Sequence, residues 1–282
     1  MSKKMADPEK YALTDDLQKS KVTNLIDEYA DDLINMSGKC MDIGCGPGDI
    51  TKELLLPALD SKAEIIGTDI SQDMIDYANE QYNDKQLKFE VLDIQTKNLP
   101  KKYISEFDHI FSFHALHWCK DIRQAFENIY SMLRPNGTML VLMVGYHDIF
   151  EVIQVLAKDD RYSSYIGDVK NYVSPYHNSK RPHKELKDLL GNIGFEVQHS
   201  STREAVCSID TKKFLTSIKS FISFSDNMPE DLAEEFKNDY IREYMERKIV
   251  YDAHHDCKNC TFVIDLYKLL VVSARKPDNA HK

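Results

Sequence analysis

Apolar residues recur along this chain with two different periods. Leu17, Leu25, Ile26, Tyr29, Leu33 and Ile34 fall at helical spacing, and Thr14 followed by Asp15 and Asp16 makes a start that caps a helix and complements its dipole. Short apolar runs then alternate with helical stretches. The pattern predicts a strand at Cys40–Ile43, a helix through Leu54–Leu59, a strand at Ile65–Asp69, a helix over Met74–Tyr82 and a strand at Leu87–Asp93. After a loop holding Pro100 come a strand at Phe107–Phe113, a helix at Ile122–Leu133, a Pro135-Asn136-Gly137 turn and a strand at Thr138–Val144. Five strands alternating with helices imply a parallel sheet with right-handed crossovers, whose ligand sits beyond the carboxyl ends of the strands.

Beyond Gly145 the rhythm changes. Two mostly helical stretches, Asp148–Asn192 and Asp210–Val250, interrupt a last pair of strands near Phe195–Val206 and Leu266–Ala274. They carry many aromatic residues, among them Tyr146, Phe150, Tyr162, Tyr165, Tyr172, Tyr176, Phe214, Phe221 and Phe224. Aromatic residues at helical spacing commonly pack into a core, but a doubly wound sheet needs no such insertions for its own, so two readings stand: added core, or a cap forming an apolar substrate chamber. The chain reads as one domain over 1–282, with an α/β core over 35–145 and cap insertions at 146–192 and 210–250.

Composition narrows the classes. Apolar residues make up 42% of the 282, enough for a full core. Lys and Arg total 36 against 46 Asp and Glu, a formal charge of −10, which argues against binding nucleic acid through its phosphates. The first ten residues have no apolar stretch of the signal-peptide kind, and the longest apolar run, Met139–Val144, is too short to span a bilayer. The expectation is a cytoplasmic protein that does not insert into membranes; its oligomeric state stays open, a homodimer included. Six cysteines in this length make no disulfide framework. The His254–Cys260 segment holds two histidines and two cysteines, but four ligands within seven residues are cramped and no second pair is visible. It reads as a polar loop, and no metal is expected.

The chemistry starts at Met41-Asp42-Ile43-Gly44-Cys45-Gly46-Pro47-Gly48-Asp49-Ile50, where a strand end runs into three glycines spaced two apart. Asp69 follows about 20 residues on, at the end of the next strand, where a carboxylate can take both ribose hydroxyls. The G-x-G-x-G spacing differs from the G-x-G-x-x-G of dinucleotide sites, and Asp42 and Asp49 beside the loop would repel a pyrophosphate. This disfavours a nicotinamide dehydrogenase. The third strand also ends in an acid, Asp93, placed to accept from an adenine amino group. Three acids at successive strand ends suit S-adenosylmethionine, whose amino group and sulfonium are positive. Asp42, Cys45, Gly48, Ser112 and Phe113 flank this site and are counted with its lining.

On the acceptor side, the fourth strand runs into Phe113-His114-Ala115-Leu116-His117-Trp118. His114, His117 and Trp118 then stand beside the cofactor, the last two each offering a nitrogen donor. Several segments taken together resemble the insect juvenile hormone acid O-methyltransferases: Leu17-Gln18-Lys19, Met41–Gly48, Gly67–Ser71, Val91–Ile94, Phe111–Trp118, Ser174-Pro175-Tyr176-His177 and the run from Tyr267 to Lys276. The glycine loop alone would indicate only a class I methyltransferase; the Leu-Gln-Lys, Leu-His-Trp and Ser-Pro-Tyr-His segments are more specific.

The resemblance implies a class I (Rossmann-like) α/β fold with a seven-stranded sheet, its last strand antiparallel, and a mostly helical substrate cap. It implies that Gly44, Gly46, Asp69, Ile70, Asp93 and Ile94 contact S-adenosylmethionine, and that Gln18 and Trp118 hold the carboxylate of farnesoic acid or juvenile hormone acid. His117 is added to those two as a catalytic candidate, and His114, Tyr146 and Tyr176 as substrate contacts. The family often has Tyr where His114 stands, a difference that bears on acceptor choice. Tyr11 is placed to close over the cofactor from the N-terminal side.

A carboxylic acid with a pKa of about 4.3 arrives ionised, so no general base is required. The positive sulfur and negative oxygen neutralise each other in the transition state. Neutral donors such as the Gln18 amide and Trp118 indole therefore orient the carboxylate without over-stabilising it, as an Arg or Lys would. Two other readings remain: a methyltransferase for another lipophilic acid or an amine, and a catalytically silent relative, whose glycine loop and Asp69 would be expected to have decayed.

Overall fold

The computed structural model describes residues 8–9, 16–82, 84–221, 227–252 and 261–278. The Thr14 cap, Tyr11 and the His254–Cys260 loop lie outside them. In chain order the elements are α1 (Asp16–Glu28), α2 (Ala30–Leu33), β1 (Lys39–Ile43), a π-wound turn (Thr51–Leu55) running into α3 (Leu56–Ala58), β2 (Glu64–Asp69), α4 (Gln72–Gln81) and β3 (Leu87–Val91). Then follow β4 (Phe107–Phe113), α5 (Ile122–Met132), β5 (Leu133–Tyr146), α6 (Asp148–Leu156), α7 (Ser163–Ile166), α8 (Pro182–Ile193) and β6 (Glu196–Asp210). The last are α9 (Thr211–Phe221), α10 (Glu230–Met245), β7 (Ile249–Asp252) and β8 (Thr261–Arg275).

Among the described residues the sheet order is β3-β2-β1-β4-β5-β8-β6, with β7 paired to β8. β1 to β5 run parallel, and β8 lies antiparallel between β5 and β6. This is the class I methyltransferase arrangement, with the short β7 as an addition to the seven strands expected.

The strands' period of two builds two cores. Phe111 and Phe113 of β4, with Leu140, Leu142 and Val144 of β5, face one side together with α1, α6 and α10. Ile110 of β4, with Met139, Val141 and Met143 of β5, faces the other, covered by α5 and α8. β1 is buried on both faces from Cys40 to Ile43, as a central parallel strand must be. Local chemistry sets several helix starts. Ser71 caps α4 by accepting from Met74 N–H, Asp121 caps α5 by accepting from Gln124 N–H, and α8 opens on Pro182 and closes on Gly194 in the left-handed conformation.

The differences from expectation are instructive. Pro135-Asn136-Gly137 forms no separate turn: β5 begins at Leu133, and Asn136 takes a positive φ of 66° where the register with β4 shifts. The predicted helix at Leu54–Leu59 starts earlier, in the π-wound turn. The cap is not all helix. β6 and β8 continue past the core as an arm in which Asp210 pairs with Phe262, and β7 joins that arm at Ile249–Asp252. Local periodicity missed this because the arm's strands find their partners only in each other.

Candidate active site

The carboxyl ends of β1 and β4 meet the N-terminal helix at one cleft of about 340 Å³ of empty volume, its open mouth included. Gln18 of α1, Asp42 and Gly44 at the end of β1, Cys45, Gly46 and Asp49 in the loop, and Phe113 and His114 after β4 all line it. Residues far apart in sequence thus line one cleft, while Asp69, Asp93, His117 and Trp118 are not among its lining residues. The glycines have a further reason to be there. Gly44 and Gly48 have φ of +75° and +89°; a Cβ on Gly44 would stand 2.0 Å from that of Ala115, and one on Gly48 2.6 Å from the Phe89 ring. The loop needs glycine at both places for its own packing, whatever approaches from outside.

The loop is braced by acids. Asp69 accepts from Gly46 N–H at 3.1 Å and from Ser71 N–H at 2.8 Å. Burial raises its pKa, and the Ser71 and Gly46 donors oppose the rise. Asp42 is 2% exposed and accepts from the Thr51 hydroxyl at 2.6 Å. Burial pushes its carboxyl up to about 7 against the Thr51 bond, with Asp69 and Asp49 adding to the rise. Asp49, also buried, pairs with Lys19 of α1 at 2.6 Å, and Lys19 reaches Glu53 at 3.4 Å.

Other expected positions fall around this centre. Ile70 is exposed directly after Asp69, while Ile94 is buried in the second core. Asp93 is exposed, and its carboxylate accepts from Gln95 N–H at 2.9 Å. Ser112 donates to the Ile43 carbonyl at 2.8 Å, tying β4 to β1. Cys45 is buried, which holds its thiol well above the ordinary range.

On the acceptor side, His114 takes a left-handed backbone, φ +55°, and its N–H donates to the Leu142 carbonyl at 2.8 Å. A non-glycine residue in that region is uncommon and turns the chain sharply out of β4. His114 Nε2 and His117 Nδ1 are buried without a hydrogen-bond partner among the described residues. Burial lowers His114 to about 4, with Lys21 adding to it, and burial holds His117 well below its usual value. Both rings are neutral at physiological pH. Trp118 closes a 3₁₀ turn and is 37% exposed. Its ring lies 4.8 Å from that of His117 and meets Phe150 of α6 edge-on at 5.7 Å.

The two cap tyrosines separate. Tyr146 stacks on His177 with centroids 4.8 Å apart, and its hydroxyl donates to Asp148 at 2.9 Å. Tyr176 packs in the second core with Leu186 and Leu190.

Sequence reasoning missed a buried ionic knot at the start of α6. Lys248, its side chain 1% exposed, bridges Asp148 at 2.6 Å and Asp265 at 2.5 Å. Asp265 also meets His147 Nε2 at 3.2 Å and accepts from the Tyr244 hydroxyl at 3.1 Å. The only local signal was a lysine directly before the apolar pair Ile249-Val250. Among the described residues no group of His, Cys, Asp or Glu could hold a metal, and no helix is long and apolar enough to cross a membrane.

The donor set fits a cationic nucleoside. Three buried carboxylates surround the glycine loop, and the lysine beside them is already paired to Asp49. A positive ligand relieves the mutual repulsion that a pyrophosphate would worsen.

Comparison with known proteins agrees. Residues 41–139 match the family described as "Methyltransferase domain". The chain is 30% identical over 272 residues to a juvenile hormone acid O-methyltransferase of Drosophila melanogaster, covering 94% of this chain and 91% of that one. It is 31% identical to the protein of the same name from Bombyx mori, covering 94% and 96%. Among solved structures, the YcgJ protein from Bacillus subtilis superimposes with a TM-score of 0.58 at 14% identity, over 92% of this chain and 100% of that one.

Proposed function

We propose, for a chain that belongs to the class I S-adenosylmethionine-dependent methyltransferases and is related to the insect juvenile hormone acid O-methyltransferases, that the small molecule it methylates is a lipophilic carboxylic acid of the farnesoic or juvenile hormone acid type. The bound cofactor supplies an electrophilic methyl group on a positively charged sulfur. In this reading Asp69 takes the ribose hydroxyls and Asp42 and Asp49 set the negative potential of the loop. Asp93 accepts from the adenine amino group, and Ile70 and Ile94 flank that base.

The Gln18 amide, the Trp118 indole N–H and the His114 imidazole orient the acceptor carboxylate. Held at about 3–3.5 Å from its target, a carboxylate needs alignment more than activation. His117 backs the indole and fixes its plane. The cap segments 146–192 and 210–250 belong to one domain with the core and shield the reacting oxygen from water.

The observation that carries this reading is the set of groups lining one cleft: the buried carboxylates Asp42 and Asp49 at the glycine loop, with the Gln18 amide and the neutral His114 imidazole. A neutral donor set suits an anionic nucleophile, and burying a lipophilic tail at about 25 cal/mol per Å² supplies binding that a carboxylate alone lacks. The test is transfer of labelled methyl to a panel of lipophilic acids and amines. Transfer to farnesoic or juvenile hormone acid is expected; transfer to amines alone, or to none, overturns the reading.

Two further outcomes are expected. Gln18→Ala and Trp118→Phe each lower kcat/KM for the acid by about 10-fold, as loss of one hydrogen bond to a charged group predicts, while calorimetric cofactor affinity stays within a factor of about two. Equal losses of cofactor affinity would refute this division of the site.

Cofactor binding also depends on pH through Asp42. Its carboxyl titrates near 7 in the free protein because it is buried. A cationic ligand favours the ionised form, so binding releases protons near pH 7 and affinity falls as pH drops below it. Calorimetry in two buffers of different ionisation enthalpy measures that release; no release across pH 6–8 would refute it.

A further inference from the structure

The Ser174-Pro175-Tyr176-His177 segment has no role in the scheme above, yet it delivers a histidine into the aromatic wall of the acceptor side. The Ser174 hydroxyl donates to the Val144 carbonyl at 2.9 Å and accepts from Tyr176 N–H at 3.3 Å, which anchors the segment at the end of β5. The His177 side chain is 1% exposed. Its ring is clamped, stacked on Tyr146 at 4.8 Å and 11°, and edge-on to Phe150 at 5.6 Å and 81°. Phe150 in turn meets Trp118 at 5.7 Å. His177 therefore stands one ring beyond the residue proposed to hold the carboxylate.

The two ring nitrogens of His177 have different environments. Nε2 lies 3.1 Å from Glu151 Oε2, whereas Nδ1 is buried with no partner among the described residues. Burial lowers the pKa of this ring despite the Glu151 carboxylate, so it is neutral. A neutral imidazole beside a carboxylate puts its single proton on the nitrogen facing that carboxylate. Nδ1 is left with a buried lone pair and no partner among the described residues. An unsatisfied buried acceptor of this kind calls for a donor that arrives from elsewhere.

We infer that His177 Nδ1 is a second recognition point of the acceptor chamber, and that it selects a lipophilic acid carrying a hydroxyl along its chain. The inference rests on the lipophilic-acid reading above and adds a chemical demand to it. An ether or epoxide oxygen only accepts hydrogen bonds and gains nothing from Nδ1, whereas a hydroxyl donates to it. His177 touches no reacting atom; its part is specificity.

The test compares kcat/KM for one unbranched lipophilic acid with its hydroxylated homologues, the hydroxyl moved carbon by carbon along the chain. One position of the hydroxyl is expected to raise kcat/KM by about three- to tenfold, the range of a single net hydrogen bond. In His177→Phe, which keeps the ring packing and loses the lone pair, that preference falls to about one. Glu151→Leu removes the partner that sets the tautomer and lowers the preference at least in part; it lies at a half-exposed side chain, so it serves if the His177 variant does not fold. No preferred hydroxyl position in the parent overturns the inference, as does a preference that survives both substitutions, which would leave Nδ1 holding only a water molecule. If the parent methylates no acid of either kind, it is the lipophilic-acid reading itself that has failed.

Discussion

Lys248→Met is expected to destabilise the folded protein by about 3–5 kcal/mol in urea titration, the cost of leaving buried carboxylates without their cation. In thermal melting that corresponds to a fall of about 10 °C. Lys248 holds Asp148 at the start of α6 to Asp265 on β8, and its own side chain is almost wholly shielded from water. Its removal leaves both acids without their cation, with Asp265 keeping His147 and Tyr244 as partners and Asp148 keeping the Tyr146 hydroxyl. The triple change Lys248→Met, Asp148→Asn and Asp265→Asn should recover a large part of the loss, because the uncompensated charge is what costs most. A loss below about 1 kcal/mol in the single variant would show that water reaches the site.

The same knot has a pH signature. Burial alone would raise the Asp265 carboxyl, yet the His147 hydrogen bond and the nearby Lys248 charge hold it down to about 2. Its folded value therefore lies below the unfolded value of about 3.9, so it contributes stability above pH 4 that is lost as pH falls toward 2. The knot fixes the first turn of α6, which carries Phe150 against Trp118. The sole tryptophan of the chain is thus a built-in reporter: its emission should shift in Lys248→Met under conditions where the protein remains folded.

Asp69→Ala is expected to weaken S-adenosylmethionine binding about a hundredfold by calorimetry. The ribose loses charged acceptor contacts of about 1.5–3 kcal/mol each, and the Gly46 N–H loses its partner in the loop. Asp69→Asn keeps the shape and one acceptor oxygen, so its loss should be closer to tenfold. Affinity unchanged in the alanine variant would mean that the ribose is held elsewhere. Acceptor binding, measured at saturating cofactor, should barely change.

Much of this was legible in order along the chain. The alternation of Phe111 and Phe113 with Ile110 and Ser112 announces a strand buried on both faces, and the glycine loop with Asp42, Asp49 and Asp69 announces the nucleoside site. Those features are local, or lie one strand-helix unit apart, where the right-handed crossover fixes their relation. The His114–Trp118 turn was legible from its place after the fourth strand, but Gln18 and the roles of these groups were legible only through resemblance, since nothing in a lone amide or imidazole says what it faces. The reason for the glycines was only half visible, because Ala115 and Phe89 press on Gly44 and Gly48 from distant strands.

The chain's own order determined the parallel sheet, the acid-ringed loop at its carboxyl edge and the class of cofactor, because short-range periodicity and backbone freedom are properties of neighbouring residues. Only the tertiary structure decided that Lys248 would lie buried between acids 100 and 17 positions away, that β6, β7 and β8 would extend into an arm, and that His177 would present one nitrogen to Glu151 and leave the other without a partner. Burial and pairing depend on what the folded chain brings into contact across that distance, and no window of sequence contains both partners.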